Sequence, residues 1–415
     1  MSNHFPIKAA SVTSPPANIK RARVVVPPSL IEAEILSVSW GSGIVVSRKK
    51  TAVAAPHWEL GKTLDEDDTP DDLLYRTGSQ KPGAYVVKAK AGTNNKAKVK
   101  VRIKRAAAGM AATLTLKGEL KGLKFQGDCP SSVGEHEVSV EILNLPDTTE
   151  HYQGDARWSL EDPASKASSA LAPATRLELF VLLDAPTGPF ATEVWAEALR
   201  FLFIRAGLGA SAKADAAIRK ITRYCHGKHG LHYDTQRGAS FFGGDDGLNG
   251  NAFQLMRYMQ KKSAPICPAS GAVDDGRTVN CYDQACAVQT LACSLGIPAR
   301  CYYQNPFGFI NKTDLIGVGA CNNPFYSSNG TSPMIGANDP NRTQFGNHAF
   351  AHLATRVEDA CAGPHHNETL KAYLTGSIDV PTTMKTNGIA GKKPEDYIAD
   401  LIAGVYEIPG AREVK

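Results

Sequence analysis

Between Lys98 and Lys104 the chain reads Lys-Val-Lys-Val-Arg-Ile-Lys, an unbroken two-residue alternation of cation and branched aliphatic. Such a run can bury its aliphatics on one face only as a strand, because a helix would scatter them around its axis. The cations then share the opposite face, which reads either as a solvated surface or as a contact for an anionic partner, the solvated reading being favoured. One strand of this kind needs neighbours. The text from about Arg21 to Arg105 supplies them as short apolar runs, such as Arg23-Val24-Val25-Val26 and Gly43-Ile44-Val45-Val46-Ser47, broken by Pro and Gly.

An immunoglobulin-like β-sandwich is therefore expected over residues 21–107, after a flexible N-terminus over 1–20. The small residues Ala106 to Ala111 read as a linker, and Thr113–Leu116, Glu137–Ile142 and Arg176–Leu183 predict a second sandwich over 108–186. The acidic stretch Asp65 to Asp72 and the Ser/Ala-rich stretch Pro163 to Pro173 read as solvated connections. At Asp184 to Pro189 the writing changes. Val194, Trp195, Ala198, Leu202 and Ile204 fall mostly at helical spacing, predicting a helix over 191–206, with further helices over 212–224 and 253–259. Leu231 to Asp234 reads as a short strand leading into a glycine-rich loop, 238–250. An α+β domain is expected over 187–415.

Length agrees with several modules, since 415 residues exceed one ordinary domain. With 42% apolar and 21% charged residues the composition is that of a folded, soluble chain. The best apolar candidate for a membrane span, Phe190 to Leu208, is interrupted by Glu193, Glu197, Arg200 and Arg205, so no span is expected. The first twenty residues lack the apolar stretch of a signal peptide. The expected location is the cytoplasm of the producing cell, with any export by another route. A net charge of +5 is too mild and dispersed to point to nucleic acid. Nine cysteines, an odd number with eight of them after residue 224, favour reduced thiols over a disulfide framework.

The most informative segment is Val279-Asn280-Cys281-Tyr282-Asp283-Gln284-Ala285-Cys286, continuing to Leu295-Gly296-Ile297-Pro298-Ala299-Arg300. Ala285, Val288, Ala292 and Leu295 share a helical face with Cys281, so the thiol opens a helix whose buried side meets the next strand. Gly296 stops that helix and Pro298 prevents its resumption. Unpaired N–H groups in a first helical turn favour anionic sulfur, and full activation needs an imidazole oriented by a carboxylate or amide. Downstream, Asn347-His348-Ala349-Phe350-Ala351-His352-Leu353 and Arg356-Val357-Glu358-Asp359-Ala360-Cys361 predict adjacent strands. The hairpin would set the carboxylate of Asp359 against one nitrogen of His348 and leave the other facing sulfur.

These residues resemble the transglutaminase-like, papain-related cysteine enzymes. Members of that family carry Cys, then Ala four residues on, then Gly-Ile-Pro-Ala-Arg. Here Cys281, Ala285 and Gly296-Ile297-Pro298-Ala299-Arg300 match, and His348-Ala349-Phe350 is similar to the family's His-Ala-aromatic motif, with an Asp on the next strand. The resemblance covers about 212–379, with its core from Asn280 to Asp359. It implies a catalytic triad of Cys281 as nucleophile, His348 as base and Asp359 as orienting acid. It further implies acyl transfer on a protein or peptide substrate, without cofactor or metal. Water as acceptor gives a peptidase, amidase or glutamine deamidase, whereas a lysine amine gives cross-linking. Bacterial relatives often stand at the C-terminal end of secreted or injected toxins, which would add a secretion apparatus or an immunity protein to the partners. Two departures are visible: Phe350 stands where the family often has Trp, and the stretch from Arg300 to His348 is long. Its part rich in Asn, Gly and Ser, Asn311 to Asn341, is expected to wall the substrate groove.

Rival readings compete at each residue. Cys286 and Cys293 are structural thiols in the same helix, and Cys281 could share that fate. His352 competes with His348, and Glu358 with Asp359, although strand alternation points Glu358 away. A second oxyanion donor would come from Tyr233 to Asn251, beside the backbone N–H of Cys281. Cys225, His226, His229, His232, Cys361, His365 and His366 are dense enough to suggest zinc, but their spacing fits no paired-ligand motif. A non-catalytic adhesion or assembly protein is the alternative from another class.

Overall fold

The computed structural model describes residues 31–48, 51–62, 81–262, 275–389 and 391–415. The expected flexible 1–20 segment, the run Arg23 to Val26 and the acidic stretch 65–72 lie outside these residues.

The N-terminal strands are β1 (Ile31–Trp40), β2 (Trp58–Glu59), β3 (Gly83–Val86), β4 (Lys96–Ala106), β5 (Thr113–Leu120), β6 (Leu123–Pro130), β7 (Gly134–Ile142), β8 (Glu150–Glu161) and β9 (Ser168–Leu182). They form one sheet in the order β2-β1-β4-β7-β6-β5-β8-β9-β3, and β9 also pairs with β1 at Ala172 and Glu34, so the sheet closes on itself. β4, from the first expected sandwich, pairs along its length with β7 of the second, Val99 opposite Val138 and Val101 opposite His136. The expectation of two immunoglobulin-like sandwiches therefore gives way to a single closed sheet. Period two marks a half-buried strand in either architecture, and only the distant β1–β9 pairing decides between them.

The alternation in β4 is realised residue by residue. Val99, Val101 and Ile103 are buried, and the cations outside face acids on neighbouring strands: Lys98 with Glu137, Lys100 and Arg102 with Glu135, Lys104 with Glu34. The basic face is thus matched strand by strand within the sheet. Inside, Trp158 donates from Nε1 to Thr175 Oγ1 at 2.8 Å. Its ring lies where a side chain on Gly118 would stand, 2.4 Å from an added Cβ.

Chain leaving β9 packs against the C-terminal part. Instead of one helix over 191–206 there is a two-residue strand, Val194–Trp195, then α1 (Ala196–Arg200) running into a wider turn over Phe201–Arg205. The guanidinium of Arg200 grips Glu178 of β9, with Nε 3.1 Å from Oε1, and His151 of β8 meets the same oxygen at 3.0 Å. All three groups are largely buried. Burial opposes charge on Glu178, yet His151 and Arg200 hold its carboxyl down to about 2.

The helices α2 (Ala214–Arg223) and α3 (Cys281–Cys293) pack against a five-stranded antiparallel sheet. Its strands are β10 (Arg300–Gln304), β11 (His348–Leu353), β12 (Arg356–Asp359), β13 (His365–Thr369) and β14 (Val405–Ile408). Their order is β13-β12-β11-β10-β14. Of the thirteen residues of α3 only Tyr282 is not buried. The helix ends as expected: Gly296 adopts φ +77°, and a Cβ there would stand 2.4 Å from the backbone of Asp184. Among the described residues no helix is long and apolar enough to cross a membrane.

Candidate active site

Cys281 opens α3. Asn280 caps the helix, its side chain accepting from the N–H of Asp283 at 3.0 Å, while Asp283 Oδ2 accepts from the N–H of Asn280 at 3.4 Å. This reciprocal box fixes where the helix begins and leaves the N–H groups of Cys281 and Tyr282 without intrahelical partners, as helix geometry requires.

Asp283 does more than close the box. Its carboxylate also accepts from the hydroxyl of Ser240 at 2.7 Å and from the N–H groups of Phe241, Phe242 and Gly244 at 2.9, 3.1 and 3.0 Å. The glycine-rich stretch expected as loop is folded onto the first turn of α3 by these bonds, and its end, Gly244–Leu248, is a short helix. Burial pushes the Asp283 carboxyl up to about 6 against the pull of the donors. The role of Asp283 was not recognised in the sequence, although Asn-x-x-Asp before an apolar helix is a legible capping signal.

His348 opens β11 and Asp359 closes β12. Ala351 lies opposite Glu358 and Leu353 opposite Arg356, a register that sets Asp359 beside Phe350 and diagonal to His348 on one face. His348 Nε2 donates to Asp359 Oδ2 at 2.9 Å, with both residues about fully buried. The other oxygen, Oδ1, accepts from the N–H groups of Cys361 at 2.7 Å and Ala362 at 3.4 Å. Tyr373 donates its hydroxyl hydrogen to Oδ2 at 2.9 Å. Burial alone would raise this carboxyl, but the adjoining imidazole and these bonds hold it well below the usual range. Burial likewise opposes charge on His348, and the neighbouring Asp359 carboxylate, with Cys281 beside it, overcomes this and raises the ring above its ordinary value.

The sulfur of Cys281 is close enough to act on the ionisation of His348, Cys361, Tyr233 and Tyr282. No hydrogen bond closes at His348 Nδ1, which is buried and unpartnered. His348 and Asp359 are thus hydrogen-bonded, and Cys281 is close enough to the ring to influence its charge. Tyr233, in the stretch expected to supply an oxyanion donor, is near enough to Cys281 to feel its charge.

Rivals are placed elsewhere. Glu358 points to the opposite face, where it accepts from Thr222 Oγ1 at 2.8 Å and the N–H of Asn367 at 3.0 Å. His352 stacks on Tyr302 with ring centroids 4.0 Å apart. Cys286 is sealed against the carbonyl of Gly244. The dense histidines go separate ways: His226 to Asp314 O, His229 to Tyr258 O, His365 to Glu368 and His366 to Arg223. Among the described residues no three His, Cys, Asp or Glu side chains are grouped to hold a metal.

The segment between β10 and β11 lies over the site. Phe345 stacks on His348 at 5.2 Å between centroids, and Phe307 approaches the ring at 4.9 Å. Gly308 and Phe345 exchange backbone hydrogen bonds of 2.9 and 3.1 Å, pinning the base of this segment. Farther out, Arg342 binds the carbonyls of Asn322, Ala337 and Ile310 and the carboxylate of Asp379. Cys281 is left 4% exposed beneath this cover.

No protein-family model matches the sequence, and no curated protein matches it at a significant level. Over 64% of its length the chain is similar to the crystal structure of red sea bream transglutaminase, at 9% identity and a TM-score of 0.32. It spans 45% of that protein's chain. A TM-score of this size does not establish a shared fold.

Proposed function

We propose that this chain is a cysteine-dependent acyl-transfer enzyme acting on amide bonds of a protein or peptide, with Cys281 as nucleophile, His348 as base and Asp359 as orienting acid. The observation that carries the reading is the buried imidazole whose Nε2 is held by Asp359 while its Nδ1 has no partner, with Cys281 close enough to influence the ring's charge. An imidazole whose charged form is favoured by a neighbouring carboxylate is the partner that a thiolate–imidazolium pair requires.

In the reaction the sulfur attacks the amide carbonyl carbon, and the oxyanion forms where the unpaired N–H of Cys281 can meet it. His348 gives its proton to the departing amine as the C–N bond breaks, leaving a thioester on Cys281. Water, deprotonated by His348, then attacks the thioester and releases the acid, leaving the sulfur as thiolate beside the reprotonated ring. An amine in place of water gives a new amide. The fixed carboxylate of Asp359 holds the ring in one orientation through both halves.

The test is labelling followed by substrate discovery. Iodoacetamide at pH 6 is expected to modify Cys281 ahead of the other cysteines, and His348→Ala to abolish that preference. Asp359→Asn should slow turnover by about 10²- to 10⁴-fold while the fold persists. Incubating the wild type and Cys281→Ala with cell lysate, and comparing peptides by mass spectrometry, distinguishes new termini, deamidation and cross-links. Uniform slow labelling of all thiols would leave a scaffold protein instead.

A further inference from the structure

We propose that Tyr373 is a positioning residue of this site, its hydroxyl fixing the Asp359 carboxylate so that Oδ2 keeps one lone pair aimed at His348; the role rests on the enzymatic reading above. Tyr373 lies on α4 (Leu370–Ser377), outside the segments that carry Cys281, His348 and Asp359. Its side chain is fully buried. The ring is wedged between Phe350 and His365, with centroids 5.0 Å from each, and this packing directs the hydroxyl at Asp359 Oδ2, 2.9 Å away.

The carboxylate has about four acceptor positions, and four donors occupy them. Cys361 N and Ala362 N take Oδ1, while His348 Nε2 and Tyr373 Oη take Oδ2. With only three, the carboxylate could pivot about Cγ and offer His348 either lone pair of Oδ2. The fourth donor removes that freedom. Burial beside Asp359 raises the phenol well above its ordinary value, so the hydroxyl keeps its proton and acts only as donor. Packing alone would be served equally by phenylalanine, and a buried hydroxyl carries a desolvation cost that its partner must offset. The oxygen therefore has a function that the ring does not.

The consequence reaches His348. A carboxylate that shares its charge with a phenol has less for the imidazolium, so the hydroxyl sets the ring's ionisation as well as its direction. The experiment follows the alkylation rate of Cys281 with iodoacetamide against pH in the full chain, comparing wild type with Tyr373→Phe. The upper limb of the profile, where His348 loses its proton, is expected to move upward by about half to one pH unit, the size of one neutral hydrogen bond. Turnover of any substrate should fall with kcat while KM is unchanged. In an Asp359→Asn background Tyr373→Phe should produce no further shift, because the effect passes through the carboxylate. A limb that stays in place, or moves equally in both backgrounds, overturns the proposal while the enzymatic reading survives. Absence of selective Cys281 labelling in the wild type removes both.

Discussion

Glu358 and Asp359 are chain neighbours with opposite fates. Strand alternation sends one carboxyl to His348 and the other to the opposite face of the sheet, where it is buried against Thr222 and Asn367. There burial pushes Glu358 up to about 7, with Thr222 and Asn367 pulling the other way. The folded chain therefore keeps the Glu358 proton to near pH 7, while the unfolded chain releases it near the ordinary value of about 4.3. Stability falls as pH rises through this window and is flat above it. Glu358→Gln retains the hydrogen-bonding shape without the charge, so it should remove this slope and gain up to about 3 kcal/mol over wild type at pH 8. Urea unfolding at pH 5 and pH 8 reads the difference directly; parallel changes in the two proteins would contradict it. The choice of Asp359 over Glu358 was legible because period two is a local property. Tyr373 was not, since nothing in the spacing of a tyrosine on a later helix announces a bond to a strand carboxylate.

The helix that begins at Cys281 was the most legible element, with its apolar face, its glycine stop and its proline all visible in the text. What the sequence hid was the support around its first turn. Gly238 to Gly250 carries too many glycines and too short an apolar pattern to show a helix, yet the bonds to Asp283 fold it there. Gly244 makes that approach possible: a Cβ would stand 2.3 Å from the N of Asp283. Gly244→Ala should therefore cost about 3 kcal/mol in chemical unfolding and slow alkylation of Cys281, because the backbone that must yield belongs to the turn bearing the sulfur. Gly376→Ala, where nothing lies within 4 Å, is the matched control and should cost far less. Equal effects would show that Gly244 has no special place.

At the level of the whole molecule, the β-rich character of the first half was readable and its closure was not. Alternation records which side of each strand is buried but carries no record of which strands meet, and the β1–β9 pairing joins residues far apart in sequence. The joint between the closed sheet and the helical part was equally silent, for nothing in the sequence pairs Arg200 with Glu178. Removing the guanidinium leaves the Glu178 carboxylate buried without its closest cation. Arg200→Met should destabilise the chain by about 3–5 kcal/mol, measured by thermal or urea unfolding, whereas Arg200→Met with Glu178→Gln should recover much of the loss. An unaltered midpoint in the single variant would remove this joint from the account of stability.

The aromatic cover over His348 has a kinetic meaning. Phe307 and Phe345 are fully packed against the His348 ring, and Cys281 is itself only 4% exposed. If the chain is the acyl-transfer enzyme proposed above, a polypeptide would reach Cys281 only after the segment pinned at Gly308 and Phe345 parts. On that reading a thioester on Cys281 would meet only the acceptor that such a shutter admits, so the rhythm of its opening would set both the pace of the cycle and whether water or an amine collects the acyl group.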